Sequence, residues 1–153
     1  DDNGQLDLSI CIDSYRKLAE YGTKKNVVVT MENHGGATEQ PESCVAIFEG
    51  VNHPNFQLTP DFGNFHLGEK MYQGIDMMFS CGKPMCTHVK TYAFSSEYGE
   101  GCDSHTDFKR MAEIAHKHHF TGWYSIECNG ACGKGFDNVI RTKELINTYF
   151  QRE

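Results

Sequence analysis

Four short runs of apolar and β-branched residues recur along the chain, and a segment with helical periodicity separates each run from the next. The runs occupy residues 26–32, 56–61, 85–92 and 121–127. Strands that are separated by helices pair in parallel, because parallel neighbours need a helical crossover. This alternation predicts an α/β fold of the parallel (β/α) type, with about four βα units.

Five segments have the spacing of helices with one apolar face. They are residues 6–22, 41–50, 69–82, a segment that ends at His118, and 136–150. The first of them is expected to bury Leu8, Ile12, Tyr15, Leu18 and Ala19. We expect Gly22 to end this helix, and Ser104 with Asp107 to form a capping box before the fourth helix.

Composition restricts the class of protein. A chain of 153 residues with 39% hydrophobic content can bury a core, and we expect a single domain over residues 1–153. A net charge of −7 disfavours a nucleic-acid partner, which would need a basic face. No apolar run is long enough to cross a membrane, and the start DDNGQ lacks the basic region of a signal peptide. Seven scattered cysteines favour a reducing, cytoplasmic location, and the opening Asp1 suggests a processed or excised piece.

Each of the four predicted strands is expected to stop on a potential metal ligand. These residues are Glu32, Asp61, His88 and Glu127, each about one βα unit from the next. Parallel neighbours deliver their carboxyl ends to the same edge of a sheet. We therefore expect the four side chains to meet at one rim.

The alternation of side chains along a strand supports this expectation. Lys90 shares a face with His88, and the other three ligands also share their faces with polar residues, whereas Met31 and Leu58 point to the opposite faces and suit packing on helices. Four converging polar faces resemble the lining of a barrel mouth. An isolated carboxylate there would be costly, but a divalent cation would compensate several at once.

The chain resembles a known family at these same positions. The strings that carry the resemblance are VTMENHGG, LTPDFGNF, HVKTY and GWYSIECNG, in that order. They are similar to the second half of the xylose isomerase-like (AP endonuclease family 2-type) TIM barrels, over residues 10–150. The resemblance implies that Glu32, Asp61, His88 and Glu127 coordinate one divalent cation. It also implies that Glu32 and Glu127 flank the substrate on opposite sides.

The donor set and the resemblance together suggest a sugar isomerase or epimerase. Carboxylates with one imidazole suit Mn²⁺, Mg²⁺ or Co²⁺ better than structural zinc, which favours thiolates. Such a cation would favour proton removal beside a carbonyl and stabilise an enediolate of a ketose or related polyol. Glu32 or Glu127 could remove that proton, and His34 could act as a further acid or base. If a hydroxyl leaves instead, the reaction is that of an inosose dehydratase-type lyase.

Three further residues are candidates for binding the substrate. Lys90 could contact the sugar or form a salt bridge, and His66 could approach the sugar or lie solvated in a loop. Trp123 could stack on a sugar ring or fill the core. The ketohexose 3-epimerase branch has His and Arg where this chain has Asn64 and Phe94, which argues against the familiar ketohexose 3-epimerases and leaves the substrate open.

The chain is short for the family it resembles. A full barrel takes about 250 residues and eight strands, so we expect a half-barrel. Its unpaired strand edges would need covering by a missing N-terminal half, a partner chain or a second copy. A non-catalytic fragment that serves assembly remains an alternative to the enzyme.

Overall fold

The computed structural model describes residues 7–95, 102–103, 105–128 and 135–151. The helices are α1 (Ser9–Lys25), α2 (Pro41–Val51), α3 (Glu69–Cys81), α4 (Phe108–Lys117) and α5 (Gly135–Tyr149). The strands are β1 (Val29–Glu32), β2 (Phe56–Thr59), β3 (Cys86–Thr91), β4 (Phe94–Ser95), β5 (Cys102–Asp103) and β6 (Trp123–Cys128). Four of the strands and all five helices correspond to the segments predicted from sequence.

The four predicted strands run parallel. β1 pairs with β2 and β3 pairs with β6 through parallel ladders. A parallel bridge between Asp61 and His88 joins the two pairs, and the His88 N–H donates to the Pro60 carbonyl at 3.0 Å. The order is therefore β1-β2-β3-β6, while the short strands β4 and β5 pair antiparallel with each other. The expected α/β fold with parallel βα units is confirmed.

The two faces of the sheet differ in burial, as the alternation predicts. Met31, Leu58 and Val89 are buried in the core that the helices share with the sheet. On the other face, Ser125 and Trp123 are exposed. Neighbouring helices contact one another in chain order, from α1 to α5. The helices thus cover one face, and the polar face that carries the predicted ligands is partly exposed.

The end of α1 differs from the prediction. The helix continues past Gly22 to Lys25 and ends at Asn26, whose φ of 56° places it in the left-handed region. Gly22 is needed inside the helix instead, since an added Cβ would lie 2.5 Å from the Val27 carbonyl oxygen. Leu18 is also not part of the buried face, because 51% of it is exposed.

The start of α4 differs as well. Asp107 is the residue that caps the helix, and its Oδ1 accepts the Arg110 N–H at 3.2 Å. A capping box would have put Asp107 in the third helical position, so that prediction is wrong; Ser104 lies outside the described residues. None of the described helices combines the length and the apolar character that crossing a membrane requires.

Candidate metal centre

The four predicted ligands meet at one edge of the sheet. Glu32, Asp61, His88 and Glu127 each offer one nitrogen or oxygen atom, and these atoms all lie within 4.8 Å of one another. Glu32 is the last residue of β1, and Glu127 is the penultimate residue of β6. The position of His88 differs from the expectation. It does not end its strand, because β3 continues three residues beyond it to Thr91. The strands are staggered, so that Glu127 pairs in register with Lys90, and His88 pairs with Ser125.

The imidazole of His88 lies at the centre of the group. Its Nδ1 is 3.4 Å from Glu32 Oε1, 3.7 Å from Asp61 Oδ2 and 3.4 Å from Glu127 Oε2. These separations exceed the usual range of an N–H···O hydrogen bond. They suit atoms that surround a common ion, since two ligands about 2.1 Å from one cation and at right angles are about 3 Å apart.

Two buried atoms in the group have no hydrogen-bond partner among the residues that the structure describes when the carboxylates are ionised. They are Asp61 Oδ2 and His88 Nδ1, and Asp61 is wholly buried. Buried polar atoms without partners are rare in folded proteins, because burying them costs free energy that no hydrogen bond returns. Both atoms face the same space between the four side chains. The residues present therefore fit a divalent cation, which would supply the missing partner to both.

The protonation of the group follows from burial and charge. Burial raises the pKa of Asp61 to about 8, against the opposing effects of the Gly63 N–H and of Lys90. The charge of Glu127 and a side-chain hydrogen bond from the protonated Asp61 carboxyl to Glu127 raise that pKa further. Burial also acts to raise the pKa of Glu127, but the hydrogen bond and charge of Lys90 outweigh it and leave that pKa lowered. Asp61 thus holds the proton when no cation compensates the cluster.

Asp61 is fixed by neighbours that leave one of its oxygens available. The Asn33 side chain is buried; its Nδ2 donates to the Asp61 carbonyl at 3.0 Å, and its Oδ1 accepts the Asp61 N–H at 2.7 Å. The Gly63 N–H donates to Asp61 Oδ1 at 2.8 Å. The second oxygen, Oδ2, remains directed at His88. Outer contacts of this kind orient metal ligands.

A chain of hydrogen bonds, which we call the glutamate bridge, links the two glutamates of the cluster. Asn64 Nδ2 donates to Glu32 Oε1 at 2.8 Å, and Lys90 Nζ donates to Asn64 Oδ1 at 3.0 Å. Lys90 Nζ also donates to Glu127 Oε1 at 2.5 Å. Lys90 is only 8% exposed, so its ammonium depends on these partners. It forms the salt bridge that was the alternative to a substrate contact, and two of its three donors are taken by Asn64 and Glu127.

Three other predicted site residues are not members of the group of four. His34 is exposed, and its backbone N–H donates to Thr38 Oγ1 at 2.9 Å. The His66 ring lies 3.5 Å from Glu39, outside the group of four. Trp123 is 81% exposed and opens β6, four residues before Glu127, so it stands about 13 Å from the cluster along the strand.

Sequence reasoning did not identify three residues that shape the site. Asn33 and Gly63 hold Asp61, and Asn64 joins Glu32 to Lys90. Asn64 stood out only as a departure from the ketohexose 3-epimerase pattern. The one available signal was position, since Asn33 directly follows one ligand and Gly63 and Asn64 follow another within three residues.

A family model described as the xylose isomerase-like TIM barrel matches residues 5–148 of the chain. A search of curated proteins finds no match. Solved structures do match the chain, but their sequence identities are so low that the match shows only a shared fold.

D-psicose 3-epimerase from Clostridium cellulolyticum H10, solved with D-tagatose, has a TM-score of 0.71 and 13% identity, with 99% of this chain and 61% of that chain covered. For 3-keto-D-glucoside 4-epimerase from E. coli, the TM-score is 0.65 and the identity 15%, over 89% of this chain and 52% of that one. A probable 3-DHS dehydratase from Bacillus anthracis gives a TM-score of 0.62 and 14% identity, over 93% and 56%.

The chain spans little more than half the length of these solved relatives. The family match, by contrast, covers nearly all of the 153 residues, and its fold agrees with the parallel strands and their intervening helices. The chain belongs to the xylose isomerase-like TIM barrel family.

Proposed function

We propose that this chain carries the metal centre of a divalent-metal-dependent sugar isomerase or epimerase. The observation that carries the proposal is the convergence of Glu32, Asp61, His88 and Glu127 within 4.8 Å, from four parallel strand regions. The two buried atoms without hydrogen-bond partners among the described residues support it, because a cation would compensate both of them.

The donor set favours Mn²⁺, Mg²⁺ or Co²⁺ over zinc, since three of the four ligands are carboxylates. When bound, such a cation polarises a carbonyl oxygen and stabilises negative charge on a neighbouring oxygen. The charges agree with a dication. Three carboxylates and the Lys90 ammonium leave two uncompensated negative charges when all are ionised.

We propose that the two glutamates move the proton. Glu32 belongs to the outer strand β1 and Glu127 to the outer strand β6, so they approach the cluster from its two sides. A ketose or related polyol held between them would present a carbon-bound proton to one carboxylate. Removal by one glutamate and return by the other gives isomerisation or epimerisation through an enediolate. The sugar epimerases among the similar structures support this reaction class.

A dehydratase is the second candidate, because one similar structure is a probable dehydratase. The same proton abstraction by a glutamate would then be followed by loss of a hydroxyl as water. His34, His66 and Trp123 remain weaker proposals for acid-base or substrate contacts, since each lies outside the cluster of four.

We also propose that residues 1–153 form the C-terminal half of a barrel whose remaining strands come from an N-terminal half or a second copy. β1 and β6 stand at the two ends of the strand order, each paired on one side. Trp123 and Met85 expose 81% and 50% of their surface on this half-sheet. Further strands would pair the open edges and cover such residues.

The test combines cation titration with proton exchange. All four ligands lie in this chain, so we expect it to bind Mn²⁺ or Co²⁺ with one ion per chain. With the cation bound, a ketose substrate should take up deuterium from heavy water, and Glu127→Gln should abolish that uptake while Glu144→Gln, at an exposed site on α5, leaves it unchanged.

Each alternative has its own signature in this test. Full exchange in a folded Glu127→Gln chain would remove Glu127 from the chemistry. A product that has lost water would identify the dehydratase. A folded chain that binds no cation would favour the non-catalytic module.

A further inference from the structure

We propose that Asn64 is the positioning residue of the metal centre. It holds Glu32 directly, and Glu127 through Lys90, so that each glutamate keeps a defined oxygen beside His88. This inference rests on the proposed metal centre and assigns a role to a residue outside the ligand set.

The chemistry of the two neighbours restricts what can stand between them. An ionised Glu32 only accepts hydrogen bonds, and the Lys90 ammonium only donates them. The bridging group must therefore donate at one end and accept at the other. The Asn64 amide does so, with Nδ2 2.8 Å from Glu32 Oε1 and Oδ1 3.0 Å from Lys90 Nζ. An aspartate would offer no donor to Glu32, and an aliphatic side chain would offer neither.

The backbone that carries Asn64 is held on several sides. It begins three residues earlier at Asp61, whose Oδ1 accepts the Gly63 N–H. The Tyr92 hydroxyl donates to the Gly63 carbonyl at 2.8 Å. A Cβ on Gly63 would lie 2.8 Å from the Tyr92 ring and 3.1 Å from Lys90 Cδ, so the lysine stem lies directly over this turn. These contacts hold the backbone at Asn64 in place and so fix the position from which its side-chain amide binds.

The glutamate bridge gives the two glutamates different surroundings. Lys90 binds Glu127 Oε1, which leaves Oε2 directed at His88 Nδ1, 3.4 Å away. Asn64 binds Glu32 Oε1, the same oxygen that lies 3.4 Å from His88 Nδ1. Without Asn64, Glu32 would lose the hydrogen bond that orients it, and Glu127 would be the one hydrogen-bonded partner left to Lys90 within the described part of the chain. Loss of such outer contacts weakens metal binding by about 10- to 100-fold.

The experiment uses Asn64→Leu, whose side chain has the same number and branching of heavy atoms as asparagine and makes no hydrogen bond. Mn²⁺ affinity is measured by titration, and the visible spectrum is recorded at saturating Co²⁺, where intensity reports ligand geometry and not affinity. We expect the dissociation constant for Mn²⁺ to rise about tenfold or more, with a changed Co²⁺ spectrum. Asn147→Leu, on the exposed side of α5, is the matched control and should change neither.

Asn64→Asp keeps the shape and the contact with Lys90, and it replaces the donor to Glu32 by an oxygen. It serves if the leucine variant does not fold, and it too should change the Co²⁺ spectrum at saturation. Wild-type affinity and an unchanged spectrum in either folded variant would overturn the role of Asn64 and leave the metal centre standing. A wild-type chain that binds neither ion would overturn both.

Discussion

Cation binding should release a proton from Asp61, and the amount follows from its pKa. Burial raises that pKa to about 8, so at pH 7 roughly nine tenths of the Asp61 side chains carry a proton that a bound cation must displace. Glu127, whose pKa is lowered, contributes no proton at this pH. We expect about 0.9 proton released per cation at pH 7 and about 0.1 at pH 9. Below pH 8, the apparent affinity should rise about tenfold per pH unit.

The assay is calorimetric titration with Mn²⁺ in buffers of different ionisation enthalpy, whose heats give the number of protons released. Asp61→Asn is the control, since it cannot release a proton from this position. Affinity that does not change between pH 6 and pH 9, or proton release that is absent at pH 7, would refute the assignment of the buried proton to Asp61.

The same shift predicts how the cation-free chain responds to pH. The folded-state pKa of Asp61 lies above its ordinary value of 3.8, so the folded state binds the proton more tightly. The free energy of unfolding should therefore fall as pH rises from about 4 to about 8, and saturating Mn²⁺ should reverse the loss. The lowered pKa of Glu127 acts below this window, where stability is lost as pH falls. Urea unfolding at several pH values measures both.

Two further predictions concern packing. Gly63→Ala should displace the stem of Lys90 or the Tyr92 ring, because the added Cβ would come within 3.1 Å of both, and we expect weaker Mn²⁺ binding by titration; unchanged affinity would show that the turn can adjust. Phe62 is fully buried and stacks on Phe150 at 5.9 Å between ring centroids, so Phe62→Ala should lower the free energy of unfolding by about 3 to 5 kcal/mol, and a loss below about 1 kcal/mol in urea unfolding would contradict this packing.

The parallel strands and the four ligand residues could be predicted because each strand and each ligand is marked by a local pattern in the sequence. Each strand shows its buried face by alternation, and each ligand stands at or near the end of an apolar run. The end of α1 could not be predicted from a local pattern. Gly22 lies inside the helix, where the lack of a side chain allows the close approach of Val27, and Asn26 adopts the left-handed conformation at the end of the helix. A glycine near a helix end can either end the helix or make room for a neighbouring segment, and the tertiary contacts decide between the two.

The alternation of side chains shows which face of the sheet a residue lies on. It does not show how far along the strand that residue lies relative to residues of the neighbouring strands. Trp123 and Glu127 share a face of β6, but four residues separate them, and only Glu127 reaches the cluster. His88 was expected to end its strand, yet the stagger of β3 against β6 places it beside Ser125. Stagger is set by the pairing of whole strands and leaves no mark on a single segment.

The contacts that support the ligands are the least predictable, for the same reason. Glu32 and Asn64 are 32 residues apart, and Lys90 and Glu127 are 37 apart, so no local pattern connects them. The lysine is nevertheless constrained once the four ligands are known. Three carboxylates exceed the charge of a dication by one, and a buried cation must balance the remainder. Lys90 meets that need from the register position opposite Glu127, and Asn64 then follows as the group that can bind a lysine and a glutamate together.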